Sequence, residues 1–162
     1  MFSRVLRFVR LPLILIVIWA VLRFILGPVF GVPYAPRGNA MFSVFGLTLI
    51  SAIMFGAMSK HIGGFNWKGT ILTGFVLGLW AQILIFTATL ISYLAKLNTY
   101  FVHWDALNIP PDTTTPLATA MTGRAFGLVV GSILMIVAAC IGRAVFGAFA
   151  PGYGDEVAGR AS

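Results

Sequence analysis

Acidic side chains are scarce in this sequence, and none of them lies in a long apolar segment. Only four of the 162 residues are Asp or Glu. We expect Asp105 and Asp112 in a loop, and Asp155 and Glu156 in the C-terminal tail. Carriers driven by protons or cations usually hold a carboxylate inside the membrane. The scarcity of acids therefore argues against a cation pump, a cation-driven carrier and an intramembrane aspartyl protease.

Cysteine and histidine are also scarce. Cys140 is the single cysteine, which excludes a disulfide or a dithiol relay within one chain. His61 and His103 flank different apolar runs, so we expect them to lie about a bilayer thickness apart. The sequence therefore predicts no catalytic residue, no metal site and no resident cofactor. Either histidine could still contact a haem or a quinone at a partner interface, which we keep as an alternative.

Charge of either sign is rare, at 9% of residues, whereas 59% are hydrophobic. Ordinary globular domains have about one quarter charged residues. Four apolar runs reach spanning length, over about residues 11–30, 41–59, 70–94 and 125–142. Bilayers accommodate helices or closed barrels, and the alternation typical of barrel strands is missing. We predict an all-α membrane protein, a four-transmembrane-helix bundle forming one domain over residues 1–162.

The first apolar run follows three arginines, at positions 4, 7 and 10, as the core of a signal peptide would. Signal cores are about 7–15 residues long, and this run is longer. We therefore expect it to remain in the protein as the first span.

Lysine and arginine predict the orientation, because they favour the cytoplasmic side. With a cytoplasmic N-terminus, that side holds seven basic residues: Arg4, Arg7, Arg10, Lys60, Lys68, Arg143 and Arg160. The opposite side holds Arg37, Lys96 and Arg124. We predict an inner-membrane protein with both termini, including the tail 151–162, in the cytoplasm, and an outer loop at 98–124. The net charge of +7 indicates anionic lipids as partners, not nucleic acid, because the basic residues flank spans.

The segment from Pro36 resembles the segment from Pro116. Both contain Ala-Met, then Phe-Gly-Leu, then Ser and Met at matching positions, offset by about half the chain. The similarity suggests two helical hairpins repeated in parallel, as in some transporters. Chance is the rival explanation, because membrane helices are built from few residue types.

Glycines recur at four-residue spacing in two of the predicted spans. They are Gly74 and Gly78 in the third, and Gly123, Gly127 and Gly131 at the start of the fourth. Glycine destabilises helices in water, but in a membrane its bare face lets helices approach closely. We predict that these faces pack against each other or against partner helices.

Two arginines in or near the spans are candidate contacts for a partner or a lipid, because a guanidinium keeps its charge. Arg143 lies near a span end and can extend to lipid phosphates. Arg23 lies deeper. It either extends to headgroups or pairs with an anion of another subunit, a lipid, a quinone or a haem.

These observations predict a non-catalytic integral subunit that packs with other membrane subunits in an inner-membrane complex. The main alternative is a small oligomeric channel or carrier, which the weak repeat favours. A second alternative is an electron-transfer subunit that contacts haem or quinone.

Overall fold

The computed structural model describes residues 1–31, 43–110 and 113–146, and its regular elements there are all helical. The α-helices are α1 (Phe2–Phe8), α2 (Arg10–Phe30), α3 (Val44–Met58), α4 (Trp67–Leu94), α5 (Trp104–Leu107) and α6 (Leu117–Val145), with a 3-10 turn at Tyr100–Val102. Among the described residues, α2, α4 and α6 are long and apolar enough to cross a membrane. The prediction of an all-helical protein with helices that could span a membrane is thus confirmed.

The second predicted span corresponds to the shorter helix α3. It has 15 residues, which at 1.5 Å per residue extend about 22 Å, less than the roughly 30 Å of a bilayer core. The predicted bundle of four spans is therefore not confirmed. Residues 41 and 42 of that span, Arg37, Asp112, the matched Pro36 and the tail 151–162 fall outside the described ranges.

Local signals explain the starts of α3 and α4. The Ser43 hydroxyl accepts the Gly46 amide at 3.1 Å and begins α3. The Asn66 side-chain oxygen accepts the Gly69 amide at 3.1 Å and begins α4. Both are N-cap bonds that satisfy otherwise unpaired amides of a first helical turn.

The last helix begins earlier than the sequence predicted. We expected an outer loop up to residue 124 and a span starting at Ala125, although the helical glycine spacing already includes Gly123. Instead α6 starts at Leu117, directly after Pro116. The charge at Arg124 does not end the helix because its guanidinium bonds to neighbouring elements, as described below.

Helices α4 and α6 run antiparallel and form the most extensive packing in the bundle. A Cβ atom added to Gly74 would lie 2.5 Å from the Met135 carbonyl oxygen, and one added to Gly78 would lie 2.8 Å from the Ser132 Cα. Glycine at these positions brings the two backbones together, as small residues do in membrane helix pairs.

Helix α3 also packs against α6, through two glycines that the sequence analysis did not select. A Cβ at Gly56 would overlap the backbone of Ala139, and a Cβ at Gly142 would overlap the backbone of Ile53. A small residue precedes each glycine by four positions: Ala52 before Gly56, and Ala138 before Gly142. The four-residue spacing of small residues was thus present in the sequence, but alanine, not glycine, occupies the first position of each pair.

Hydroxyl groups within the long helices bond back to their own backbone. The side chains of Thr48, Thr73, Thr89, Ser92 and Ser132 each donate to the carbonyl four residues earlier, at 2.6–2.9 Å. This local bond satisfies a buried hydroxyl without another helix. These buried residues therefore fit the apolar interior of the bundle.

Helix α2 is the peripheral helix. Its buried residues are Pro12, Ile16, Ala20 and Arg23, which repeat along one face. The opposite face exposes Ile14, Ile18 and Val21. The Trp80 indole of α4 donates to the Leu13 carbonyl at 3.3 Å and adds a polar contact. One face of α2 thus packs on the bundle, and the other remains apolar and exposed.

Candidate functional site

Polar side chains gather at both ends of the bundle. One end, which we call the Arg124 end, contains the end of α2, the starts of α3 and α6, and the end of α4. The other, the Arg143 end, contains the turn between α3 and α4 and the end of α6. Each end contains an α6 arginine that donates two hydrogen bonds within the chain.

Arg124 connects three elements. Its Nε donates to the Thr89 hydroxyl of α4 at 3.0 Å, and its Nη2 donates to the Phe101 carbonyl in the 3-10 turn at 3.0 Å. A guanidinium has five N–H donors in a fixed fork, and these bonds engage two of them. The group is therefore held in place and keeps donors for another acceptor.

Arg23 lies close by, on the last turns of α2. Its side chain is only 5% exposed, and its Cζ sits 3.7 Å from the centroid of the Tyr100 ring. A cation this close to an aromatic face is attracted by the ring's quadrupole. The side chain therefore lies inside the protein, and its contact with a lipid or a partner stays a prediction.

The two arginines line one cavity of about 290 Å³. Its polar lining side chains are Arg23, Arg124, Gln82, Ser43, Tyr100 and Asp105. Gln82 projects into it from the middle of α4. A Cβ at Gly131 would overlap the Gln82 amide, and one at Gly127 would lie 3.5 Å from its Oε1. These α6 glycines thus make room for a polar side chain.

A second cavity, of about 410 Å³, lies beside the first. Arg124 and Ala106 belong to the walls of both cavities. Asn108, Thr119 and Gly123 line the second one further out. Arg124 thus stands where two polar cavities meet.

Arg143 fixes the opposite end of the bundle. Its Nη1 donates to the Phe65 carbonyl at 2.9 Å and to the Thr70 hydroxyl at 2.7 Å. Its Cζ lies 4.7 Å from the Trp67 ring centroid, and the Thr70 hydroxyl is 2.7 Å from that of Ser59. We had expected Arg143 to extend to lipid phosphates. The structure shows that it connects α6 to the start of α4, and its contact with lipid phosphates stays a prediction.

The predicted glycine stripes divide into two groups. Gly74 and Gly78 lie where α4 and α6 meet, and Gly131 lies against Gln82. A Cβ at Gly123 would meet nothing within 4 Å, and the Cβ at Gly127 would make an ordinary contact. For these two, packing against helices of a partner stays a prediction.

The histidines lie at opposite ends of the bundle. His61 is in the turn after α3, and His103 precedes α5, where its Nδ1 accepts the Asp105 amide at 3.4 Å and its ring stacks on Trp104. Over the described ranges, no three His, Cys, Asp or Glu side chains are grouped as metal ligands. Contact of either histidine with a partner's haem or quinone stays a prediction.

Arg124 is the site residue that sequence analysis missed. We assigned it to the outer loop because a charge next to an apolar run usually marks its end. The available signal was its position between Gly123 and Gly127, where a helical glycine pattern had already begun.

The internal repeat predicted from the sequence stays a prediction. Of its matched residues, Ser51 and Ser132 are both buried, but Met54 is 54% exposed and Met135 is 1% exposed.

No family model, curated protein or solved structure matches this chain in the comparisons with known proteins.

Proposed function

We propose that the chain is a non-catalytic integral subunit of a bacterial-type inner-membrane complex, which crosses the membrane four times. Helices α2 and α4 run in the same direction, since the start of α2 contacts Trp80, and Phe24, nearer its end, lines a groove with Ile91. The chain must therefore return between them. Val44 lines the cavity at the Arg124 end, and Ser59 contacts Thr70 at the opposite end. Helix α3 makes this return.

Charge supports an orientation with the Arg143 end in the cytoplasm. Among the described residues, that end contains Arg4, Arg7, Arg10, Lys60, Lys68 and Arg143, whereas the other contains Arg23, Lys96 and Arg124. The positive-inside rule places the more basic end in the cytoplasm.

Cysteine labelling tests this orientation. Single cysteines at Ser3 and Thr114, both exposed, are introduced into a Cys140→Ser background. In spheroplasts, an impermeant maleimide is expected to label position 114 and to label position 3 only after the membrane is opened. The reverse pattern would contradict the proposed orientation.

The observation that carries the subunit proposal is the two-faced α2. Its inner face packs on the bundle, whereas Ile14, Ile18 and Val21 present a row of branched apolar side chains outward. Such a row offers van der Waals packing to a transmembrane helix of another subunit, and this packing drives helix association in membranes.

Photocrosslinking tests the partner. The chain offers a matched pair on α2: Ile18 is 46% exposed and Ile16 is fully buried. A photoreactive residue at position 18 is expected to crosslink one membrane protein, which also co-purifies at fixed stoichiometry in mild detergent. The same group at position 16 should react within the chain. Crosslinks from position 18 to lipid alone, without a stoichiometric partner, would overturn the subunit proposal.

The two cavities that meet at Arg124 favour a second candidate, a small carrier. A carrier would move a solute into proteoliposomes when the chain is reconstituted alone, whereas an accessory subunit would not. Flux measurements on the purified chain separate the two.

A further inference from the structure

We propose that the cavity between Arg23 and Arg124 is a binding site for a phosphate group, supplied either by an anionic lipid headgroup or by free phosphate. The site lies within a single chain, so it does not depend on the proposed subunit role. Its parts come from α2, α3, α4 and α6 and from the segment at Tyr100–Asp105.

The charge and the donor groups fit an anion with several oxygen acceptors. Two guanidinium groups and one carboxylate, Asp105, are among the described side chains that line the cavity. Arginine binds phosphate oxygens through paired, charge-assisted hydrogen bonds. The Gln82 side chain lines the cavity as a neutral polar group from α4. A phosphate in the cavity would meet charged donors from α2 and α6.

The arginines are positioned before a ligand arrives. Arg124 is fixed by the Thr89 hydroxyl and the Phe101 carbonyl, and Arg23 lies over the Tyr100 ring. Holding donors in place in advance lowers the ordering cost of binding. A charged residue within a membrane segment costs enough that a function is the first explanation to test.

The size and surroundings of the cavity are suitable for a small polar group. Its volume of about 290 Å³ lies near the lower end of ligand pockets. An apolar groove of about 260 Å³ lies nearby between α2 and α4, lined by Ala20, Val21, Phe24, Leu84, Thr87, Ala88 and Ile91. Arg23 and Phe24 are adjacent in sequence, so a lipid could place its phosphate near one and an acyl chain near the other.

A purely structural role is the rival explanation, because Arg124 also connects α4, α6 and the 3-10 turn. Arg143 provides the matched control. It too lies on α6, donates two hydrogen bonds within the chain and contacts an aromatic ring, but it does not line this cavity. A structural role predicts the same behaviour for both arginines, whereas a phosphate site distinguishes them.

The test measures the affinity of the purified full chain in dodecyl maltoside, a detergent without phosphate, for two probes: inorganic phosphate and short-chain phosphatidylglycerol. Saturable binding of at least one probe is expected. Arg124→Gln should weaken it by about tenfold or more, as expected for loss of a charged hydrogen bond, whereas Arg143→Gln should leave the affinity unchanged.

A steric variant keeps the test valid even if Arg124→Gln fails to fold. A Cβ at Gly127 meets only an ordinary contact, so Gly127→Leu should fold, fill part of the cavity and weaken binding with both arginines present.

The two probes identify the source of the phosphate. Binding of the lipid probe alone would assign the site to a headgroup, and binding of inorganic phosphate would assign it to the free ion. Absence of binding by both probes, or binding that neither Arg124→Gln nor Gly127→Leu weakens, would overturn the proposal.

Discussion

Replacing Gly74 with leucine is expected to disrupt the pairing of α4 and α6. Even a Cβ at this position would lie 2.5 Å from the Met135 carbonyl oxygen and 2.7 Å from the Ile136 Cα. Backbone atoms cannot rotate away as a flexible side chain can, so the helices must separate. Overpacking costs about 1–3 kcal/mol for modest insertions, and leucine adds more atoms. Thermal unfolding in mild detergent should show a graded loss from Gly74→Ala to Gly74→Leu.

Gly123, on α6, provides the matched control. Nothing lies within 4 Å of a Cβ added there. Gly123→Ala should therefore stabilise the isolated chain by up to about 1 kcal/mol, because alanine favours helix more than glycine does. Equal destabilisation by Gly74→Ala and Gly123→Ala would contradict the close contact between α4 and α6 described at Gly74. Loss of a co-purifying partner in Gly123→Leu alone would support the predicted packing against another subunit.

Arg143→Leu is expected to have the second large effect, at the opposite end of the bundle. The change removes the donor for the Phe65 carbonyl and for the Thr70 hydroxyl, and it removes the cation over Trp67. Hydrogen bonds to charged groups each contribute about 1.5–3 kcal/mol. Unfolding by SDS titration should therefore show a loss of at least about 2 kcal/mol.

A double-mutant cycle tests whether this loss of stability comes from the contact between Arg143 and Thr70. Thr70→Val should cost clearly less in an Arg143→Leu background than in the wild-type chain, because contacting residues couple by about 0.5–3 kcal/mol. Lys68, exposed in the first turn of α4, is the charge control, and Lys68→Ala should change stability by no more than about 0.5 kcal/mol. Additive effects of Arg143→Leu and Thr70→Val would mean that Arg143 acts through lipid phosphates, as the sequence had suggested.

The sequence predicted the helices well because apolar length is a strong signal in a membrane protein. It predicted α2 and the end of α4 closely. It was less informative about α3, whose apolar run is longer than its described helix, and about α6, whose start lies beyond a charged residue. Hydropathy averages over a window and treats Arg124 as a boundary, whereas the structure satisfies that charge through Thr89 and Phe101.

The site was less predictable than the fold. Arg23 attracted attention because a charged residue is unusual within a span, but its grouping with Gln82 and Arg124 depends on how α2, α4 and α6 meet. Likewise, Gly131 had the spacing of a backbone contact, and its neighbour is a glutamine side chain. One-dimensional spacing identifies a bare helix face but does not specify what occupies it.

The back-bonded hydroxyls have a consequence for biogenesis. Thr48, Thr73 and Ser132 complete their hydrogen bonds within their own helices, so each of these helices can enter lipid without waiting for a neighbour. Gln82 and the α6 arginines are different, because their contacts come from other elements. Insertion and tertiary assembly thus draw on different polar residues, as a two-stage process requires. Changing Gln82 or Arg143 should therefore leave translocon insertion efficient while slowing the later docking of inserted helices.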